Sequence, residues 1–474
     1  MKPTKLLLAL ALALALPGLA QAHDHSDTGA AASASTAVSS PAAPASAYYK
    51  GLRGDYRNAT PRWWKGNTHT HTWWSDGDSP PENVAAWYRE HGYQFLVLSD
   101  HNRMQQDSIA RGTLALSYSQ WYPIEDDSRR DALETYRKHF GEDWVQTRTS
   151  DKGVTEVRLK TLDEFRHFFE APGEFALISG EEITDSFKSN PFHMNAVNIQ
   201  EVIAPRSGAT PTQVIQNNLN AVLDQGARSG RDVLAHINHP NFRYGITVED
   251  ILPLRYATGE GFFELYNGHH GVENYGDAHR MGLEKMWDVI LAKRIAEGDG
   301  ALMYGIANDD AHSYTRWEVG ANANPGRGWV MVRSGRLTPD SIVAAMKRGD
   351  FYGSTGVTLS TLESADNQVE LEIQAEAGVE YTVEFIGTRR GANLRGRPLQ
   401  DLPADMKGRA SMRYDDAIGV VLHTQRGPKA SYTARGDELY VRARVTSTKP
   451  HPNPFKPGDT QMAWTQPLRI TPAR

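Results

Sequence analysis

The stretch Lys65-Gly66-Asn67-Thr68-His69-Thr70-His71-Thr72-Trp73-Trp74-Ser75-Asp76-Gly77-Asp78 sets two histidines and a carboxylate beside the end of an expected strand. His69 and His71 alternate with Thr68, Thr70 and Thr72, and a strand's period of two turns both imidazoles to one face. Ser75, Asp76 and Gly77 read as a turn that brings Asp76 back toward that face. The arrangement suits a metal ion. A lone His-x-His in a chain with 17 histidines is a weak motif, so its meaning depends on what other strand ends supply.

Downstream the pattern recurs. Ser79 with Glu82 as a capping box, and Pro80 at the first helical position, predict a helix over 79–91 with Val84, Trp87, Tyr88 and His91 on one side. Residues 94–99 form an apolar strand ending in Asp100-His101-Asn102, and strand, helix and strand at this spacing predict a βαβ unit in a parallel sheet. Residues 103–169 break the rhythm with charges and aromatics and read as an inserted helical excursion, placed after a strand end where a lid would sit. The rhythm then resumes. Residues 175–179 lead to Gly180-Glu181-Glu182, His193 directly precedes the apolar run 194–199, and Thr210-Pro211 opens a helix reaching Gly226. Residues 232–235 lead to His236-Ile237-Asn238-His239-Pro240, and 262–266 lead to Asn267-Gly268-His269-His270. A helix over 277–296 follows, and 302–307 end in Asn308-Asp309-Asp310-Ala311-His312.

Histidines and carboxylates therefore collect after apolar runs, and in a closed α/β barrel such strand ends open on one face. Residues 329–332, a helix over 339–348 and residues 351–354 complete the expected barrel domain of residues 48–355. From Val357, alternating runs at 369–373, 381–385, 419–422 and 439–445 are separated by Gly, Pro and Asp, which predicts an antiparallel β-sandwich-like domain over 356–474.

Composition narrows the chemistry. A chain of 474 residues, 39% hydrophobic and 23% charged, has material for two or three soluble domains with real cores. A net charge of -6 lacks the basic footprint of a protein whose main partner is a nucleic acid polymer. With no cysteine there are no disulfides and no thiolate ligands, so any site consists of His, carboxylates and water. A charged start, an apolar run over 6–16 and Ala20-Gln21-Ala22 read as a signal peptide over 1–22, too short to span a membrane. Its cleavage would leave a periplasmic or secreted protein without a transmembrane segment. Residues 23–47, rich in Ala, Ser and Pro, read as a disordered tether. Neither a GxSxG nucleophile elbow nor a Walker loop is evident.

Taken in order, His69-Thr70-His71 with Asp76, Ser99-Asp100-His101, Gly180-Glu181-Glu182-Ile183-Thr184, His193, Asn238-His239-Pro240 and Asp310-Ala311-His312 resemble the motifs of the PHP (polymerase and histidinol phosphatase) superfamily of metal-dependent phosphoesterases. The resemblance runs from Trp64 to Ser354, and the leader, the insertion and the C-terminal β region look most like the exported carbaryl-hydrolase-like branch. It implies a distorted seven-stranded (β/α) barrel and two or three divalent ions of zinc, manganese or iron. By motif, His69, His71, Glu182 and Asp310 would hold one ion, Glu182, His193 and His239 a second, and Asp76, His101 and His312 a third. Glu181 in place of Glu182 and His236 in place of His239 remain open alternatives.

A bridged pair of ions roughly 3.5–4 Å apart would activate a hydroxide for attack on phosphorus in a small phosphorylated substrate. Glu182, Asp310, His101 and Asp100 would carry the catalysis, with Asp100 orienting His101 or another ligand, while Arg243, Arg103, His269 and His270 are candidates for contact with the substrate anion. A carboxylic or carbamic ester is the alternative substrate for the same centre. A catalytically idle, metal-stabilised envelope binding protein is the second alternative.

Overall fold

Phe95-Leu96-Val97-Leu98 is buried at every position, and such unbroken apolar runs form the middle of a 14-stranded sheet. The computed structural model describes residues 59–106, 120–256, 259–400, 402–403 and 406–472, so the expected signal peptide and tether lie outside the described residues. Across the sheet the order is Met303–Asn308, Gly261–Asn267, Leu234–Ile237, Asn190–Val197, Ala176–Phe187, Phe95–Leu98, Arg62–Asn67, Trp329–Ser334 and Phe351–Ser354. It continues through Thr460–Thr465, Glu438–Pro450, Tyr381–Arg389 and Val420–Arg426.

The expected parallel sheet is mixed. Arg62–Asn67, Phe95–Leu98 and Ala176–Phe187 pair in parallel, as do Leu234–Ile237, Gly261–Asn267 and Met303–Asn308. Between these two groups Asn190–Val197 runs antiparallel to both neighbours. The reason is local: Ala176–Phe187 does not stop at Gly180 but runs on for 12 residues, and a turn at Lys188 and Ser189, both at positive φ, returns the chain at once. So short a connection makes a hairpin, because a parallel crossover needs a dozen residues or more. Glu182 and His193 consequently lie inside paired strands, not beyond strand ends. Arg62–Asn67 and Met303–Asn308 are joined by an isolated parallel bridge between Thr70 and Ala311 rather than by a ladder.

Helix signals fare unevenly. Pro211–Ser229 begins where Thr210 accepts from the Gln213 amide, ends at the left-handed Gly230, and buries Val214, Ile215, Leu219 and Val222. The helix Pro81–Glu90, by contrast, has no side-chain cap: Ser79 bonds to Asp78, and Glu82 accepts from the Tyr136 hydroxyl and Trp144 Nε1. Tyr136 belongs to the inserted helix Asp127–Phe140, so tertiary packing gives the Glu82 carboxyl partners that a local cap would otherwise provide. The helix expected from 277 starts at Leu283, because Asp277 accepts from the His279 and Arg280 amides and fixes a turn there. The insertion is not purely helical either, since it adds a sheet of Trp121–Pro123, Thr155–Arg158 and Thr147–Thr149.

The C-terminal strands are antiparallel, but Phe351–Ser354 pairs with Thr460–Thr465, so several of them extend the central sheet. Leu359–Ala365, Gln368–Ile373 and Lys429–Thr433 form a second sheet, whose Leu362, Val369 and Leu371 share an apolar cluster with Val383, Phe385, Val441 and Val445. Arg442, 1% exposed, donates from Nε and Nη2 to the Asp288 carboxylate at 2.8 Å each and ties Glu438–Pro450 to the helix Leu283–Glu297. Among the described residues no helix is long and apolar enough to cross a membrane.

Removing one member of a buried ion pair strands the other charge away from water. Asp288→Ala should therefore lower the unfolding free energy by about 3–5 kcal/mol. Calorimetric or denaturant unfolding measures it, and a negligible change would mean that this tie does not hold the C-terminal strands in place.

Candidate metal centre

Just beyond the strand Arg62–Asn67, the Thr70–Ala311 bridge keeps the chain extended, so His69 and His71 share a face with ring centroids 5.2 Å apart. The ends of Phe95–Leu98 and Met303–Asn308 deliver His101, Asp310 and His312, and the hairpin delivers Glu182 and His193. Four overlapping groups result: His71, Asp76, His101 and His312; His69, His71 and Glu182; His69, His239 and Asp310; His101, Glu182 and His193. Within each group the potential ligand atoms lie within 4.8 Å of one another.

Glu182 is the hub. Its Oε1 lies 3.3 Å from His69 Nε2, 3.1 Å from His193 Nδ1 and 3.2 Å from His239 Nε2. Its Oε2 lies 2.7 Å from His101 Nδ1 and 3.5 Å from His71 Nε2. Asp310 Oδ1 stands 3.2 Å from His69 Nε2 and 3.1 Å from His71 Nε2. Asp76, on an exposed turn, reaches His312 Nε2 at 3.3 Å and His71 Nδ1 at 3.4 Å. His69 Nε2, His71 Nε2 and Glu182 Oε2 are buried without a hydrogen-bond partner despite these short approaches. Buried polar atoms are almost always satisfied, so lone pairs that converge without hydrogen bonds fit a shared cation.

Neighbouring groups fix the orientation of the ligands. His69 Nδ1 donates to Glu264 Oε1 at 2.8 Å, which turns the Nε2 lone pair toward the cluster. Glu264 is fully buried and also accepts from the His239 amide, Asn267 Nδ2 and Asn308 Nδ2. Sequence reading missed it, although a carboxylate inside Phe262-Phe263-Glu264-Leu265-Tyr266 was a visible signal. His312 Nδ1 donates to the Asp310 carbonyl at 2.9 Å, leaving its Nε2 lone pair free of that proton. His239 and Asp310 both have positive φ, which costs of order 1–3 kcal/mol per residue and recurs where function demands a particular side-chain direction.

Electrostatics follow the same geometry. Burial opposes ionisation of Glu182, yet the imidazoles of His101, His193 and His69 hold it well below the usual carboxylate range. Burial likewise disfavours the Asp310 carboxylate, and His69, His71 and His312 outweigh it. Burial, reinforced by His312 and His101, lowers His71 to about 3, so its imidazole is neutral and keeps a lone pair. Against the cost of burial, Asp76 and Asp310 push His312 up to about 9, and Asp310, Glu264 and Glu182 raise His69 well above its ordinary value.

Other residues from the sequence reading sit differently. Glu181 faces away, accepting from the Ile203 amide at 2.6 Å, and burial raises it to about 8. His236 bonds to Thr68 Oγ1 at 3.2 Å and belongs to none of the four groups. Asp100, expected to orient His101 or another ligand, accepts not from His101 but from the Thr72 amide, Thr72 Oγ1, Ser75 Oγ and Gln105 Nε2. It therefore braces the turn after His71, whose Nδ1 lies 3.3 Å from Ser75 Oγ. His101 Nδ1 faces Thr184 Oγ1 instead. Arg103 Nη1 donates to the Trp74 carbonyl at 3.0 Å. Arg243 is exposed and stacks over Phe242, whose ring packs on His239. The half-buried His269 lies 5.2 Å from the His312 ring and stacks on the exposed His270.

No family model matches this chain, and no curated protein does. Among solved structures it is similar to a two-domain protein of Bacteroides vulgatus containing a predicted PHP-like metal-dependent phosphoesterase, at 12% identity and a TM-score of 0.35, over 86% of this chain and 96% of that one. It is also similar to a candidate metal-dependent phosphoesterase of Bifidobacterium adolescentis, at 13% identity and a TM-score of 0.25, over 56% of this chain and 94% of that one. Both likenesses are distant, and the functional reading below stands on the site's own residues.

Glu264→Gln would set an amide donor against groups that already donate to this carboxylate, and loss of such an outer partner lowers metal affinity by about 10–100-fold. Glu181→Gln should leave affinity unchanged; direct metal titration of both variants checks the contrast. His69 and His312, raised above neutrality, must give up protons to a cation. Metal loading should therefore release protons and strengthen as pH rises toward 9, which calorimetry in buffers of different ionisation heat measures.

Proposed function

We propose that this chain is an exported metal-dependent phosphoesterase of the PHP superfamily, in its carbaryl-hydrolase-like branch, with the seven strands from Arg62–Asn67 to Met303–Asn308 serving as its barrel. The observation that carries the reading is the convergence of six imidazoles and three carboxylates, with buried lone pairs that no hydrogen bond satisfies. Imidazole and carboxylate donors suit zinc, manganese or iron. His69, His71, Glu182 and Asp310 would hold one ion, Glu182 with His193 and His239 a second, and Asp76, His101 and His312 a third; Glu182, with two carboxylate oxygens, is the residue able to serve two of them. Divalent ions at these positions supply Lewis acidity, which acidifies water and offsets negative charge building on a phosphoryl group.

The remaining work falls to the chain's own residues. Glu264 and the Asp310 carbonyl fix the protons of His69 and His312 on the nitrogens that face away from the cluster. His269 Nδ1 accepts from the Gly271 amide at 2.9 Å, so in its neutral form the proton sits on Nε2. Burial lowers His269 to about 3, which makes it a neutral donor for a substrate oxygen beside His312. Arg243 supplies a cation at the rim, next to Phe242. A phosphate ester presents several oxygens to a centre with room for more than one ion, which favours it over a carboxylic or carbamic ester with its single carbonyl oxygen. The leader-like sequence of residues 1–22 supports export.

Metal-analysed protein should hydrolyse small phosphate esters, and His71→Ala should reduce kcat by of the order of 10²–10³-fold. Chelation should abolish turnover, and added metal should restore it. Activity indifferent to chelation would refute the reading, and faster turnover of carboxylic or carbamic esters would transfer it to that substrate class.

A further inference from the structure

Away from the metal centre, a cavity of about 440 Å³ has aromatic walls formed by Trp87, Tyr93, Trp317 and Trp329. Lys65, His91 and Glu318 also line it, and none of the nine candidate metal ligands does. Its size and its mixture of ring faces with a few polar groups match those of small-molecule pockets, which run from about 300 to 1,000 Å³. Trp317, 51% exposed, lies 6.0 Å from the Trp87 ring, and the nearby Val319 is exposed as well. Adjoining exposed apolar side chains beside a cavity mark a contact surface rather than core.

We propose that this cavity binds a neutral saccharide. Lys65 Nζ sits 3.8 Å from the Tyr93 ring centre and 4.0 Å from that of Trp329, and one of its hydrogens reaches the His91 carbonyl at 3.4 Å. Its other hydrogens can serve a ligand. His91 Nδ1 donates to the Trp87 carbonyl at 2.7 Å, which leaves Nε2 an acceptor in the neutral ring. The Glu318 carboxylate makes no hydrogen bond or ion pair among the described residues.

A net charge of either sign would be repelled by one of Lys65 and Glu318 and attracted by the other, so the lining selects neither a cation nor an anion. A purely apolar ring would stack well but leave this donor and these acceptors unused. Lys65 lies over Tyr93 and Trp329 and His91 stacks on Trp87, so the exposed Trp317 indole offers the stacking face: a sugar ring presents a C–H face to it, and hydroxyls that donate to Glu318 and His91 while accepting from Lys65. The wall is firmly held. Its loop starts at His312, and the Asp309 carboxylate accepts from the Gly326, Arg327 and Gly328 amides at the far end.

Titration of the intact protein with cellohexaose, maltohexaose and N-acetylchitohexaose, followed by tryptophan fluorescence and calorimetry, tests the proposal. At least one should bind saturably, and saturating inorganic phosphate should leave that binding unchanged. Trp317→Ala should weaken it about tenfold. Glu318→Ala, at an exposed position, should weaken it about three- to tenfold. Both variants should keep the wild-type circular dichroism and thermal midpoint. The proposal is overturned if no saccharide binds, if both folded variants bind like wild type, or if phosphate displaces the sugar.

Discussion

Glu182 stands within 3.5 Å of five imidazoles in a buried pocket, and much of the fold serves to keep it there. A carboxylate in that setting loses its hydration, and neutral imidazoles return only part of what water gave. The deficit makes the cluster a receptor for positive charge, whether protons or metal ions. The same constraint explains why His69 and His312 are raised while His71 is lowered: carboxylates press on the first two, and other histidines crowd the third.

Holding so many like groups together requires rigidity from outside the cluster. Glu264 draws donors from the ends of three strands onto one carboxylate, and Asp100 does the same for the turn that follows His71. The positive φ of His239 and Asp310 is tolerated because the neighbouring sheet fixes their ends, with the His239 amide on Glu264 and the Asp310 amide on the His69 carbonyl. The C-terminal strands contribute at a distance. They extend the sheet from Phe351–Ser354 and, through Arg442 and Asp288, bind the helix Leu283–Glu297, which leads into the strand Met303–Asn308.

Much of the clustered set of candidate ligands was legible because metal chemistry demands particular residue types, and several of those types stand out after apolar runs. His101, His239, Asp310 and His312 follow such runs closely, and His69 and His71 alternate at an expected strand end. Glu182 over Glu181 was less legible, since adjacent residues on a strand face opposite ways and only the pairing of Glu182 with Asn195 sets which side is inward. Asp100 was open to two roles, orienting His101 or another ligand candidate, and the fold sets its carboxylate on the amide and hydroxyls of the 72–75 turn beside His71. Glu264 went unseen because its partners lie up to 195 residues away. Ser79 and Glu82 formed a convincing local capping pattern that Tyr136 and Trp144 overrode.

By itself the sequence determined the donor chemistry, the absence of thiols, the apolar strands and most of the helices, because these depend on residue type and short-range periodicity. Tertiary structure alone decided that Asn190–Val197 reverses the sheet, that Glu182 becomes the hub, and that His101 and His71 each stand in two groups of ligands. Those outcomes depend on register and on contacts between distant strands, where a shift of one residue turns a ligand from the centre toward the opposite face.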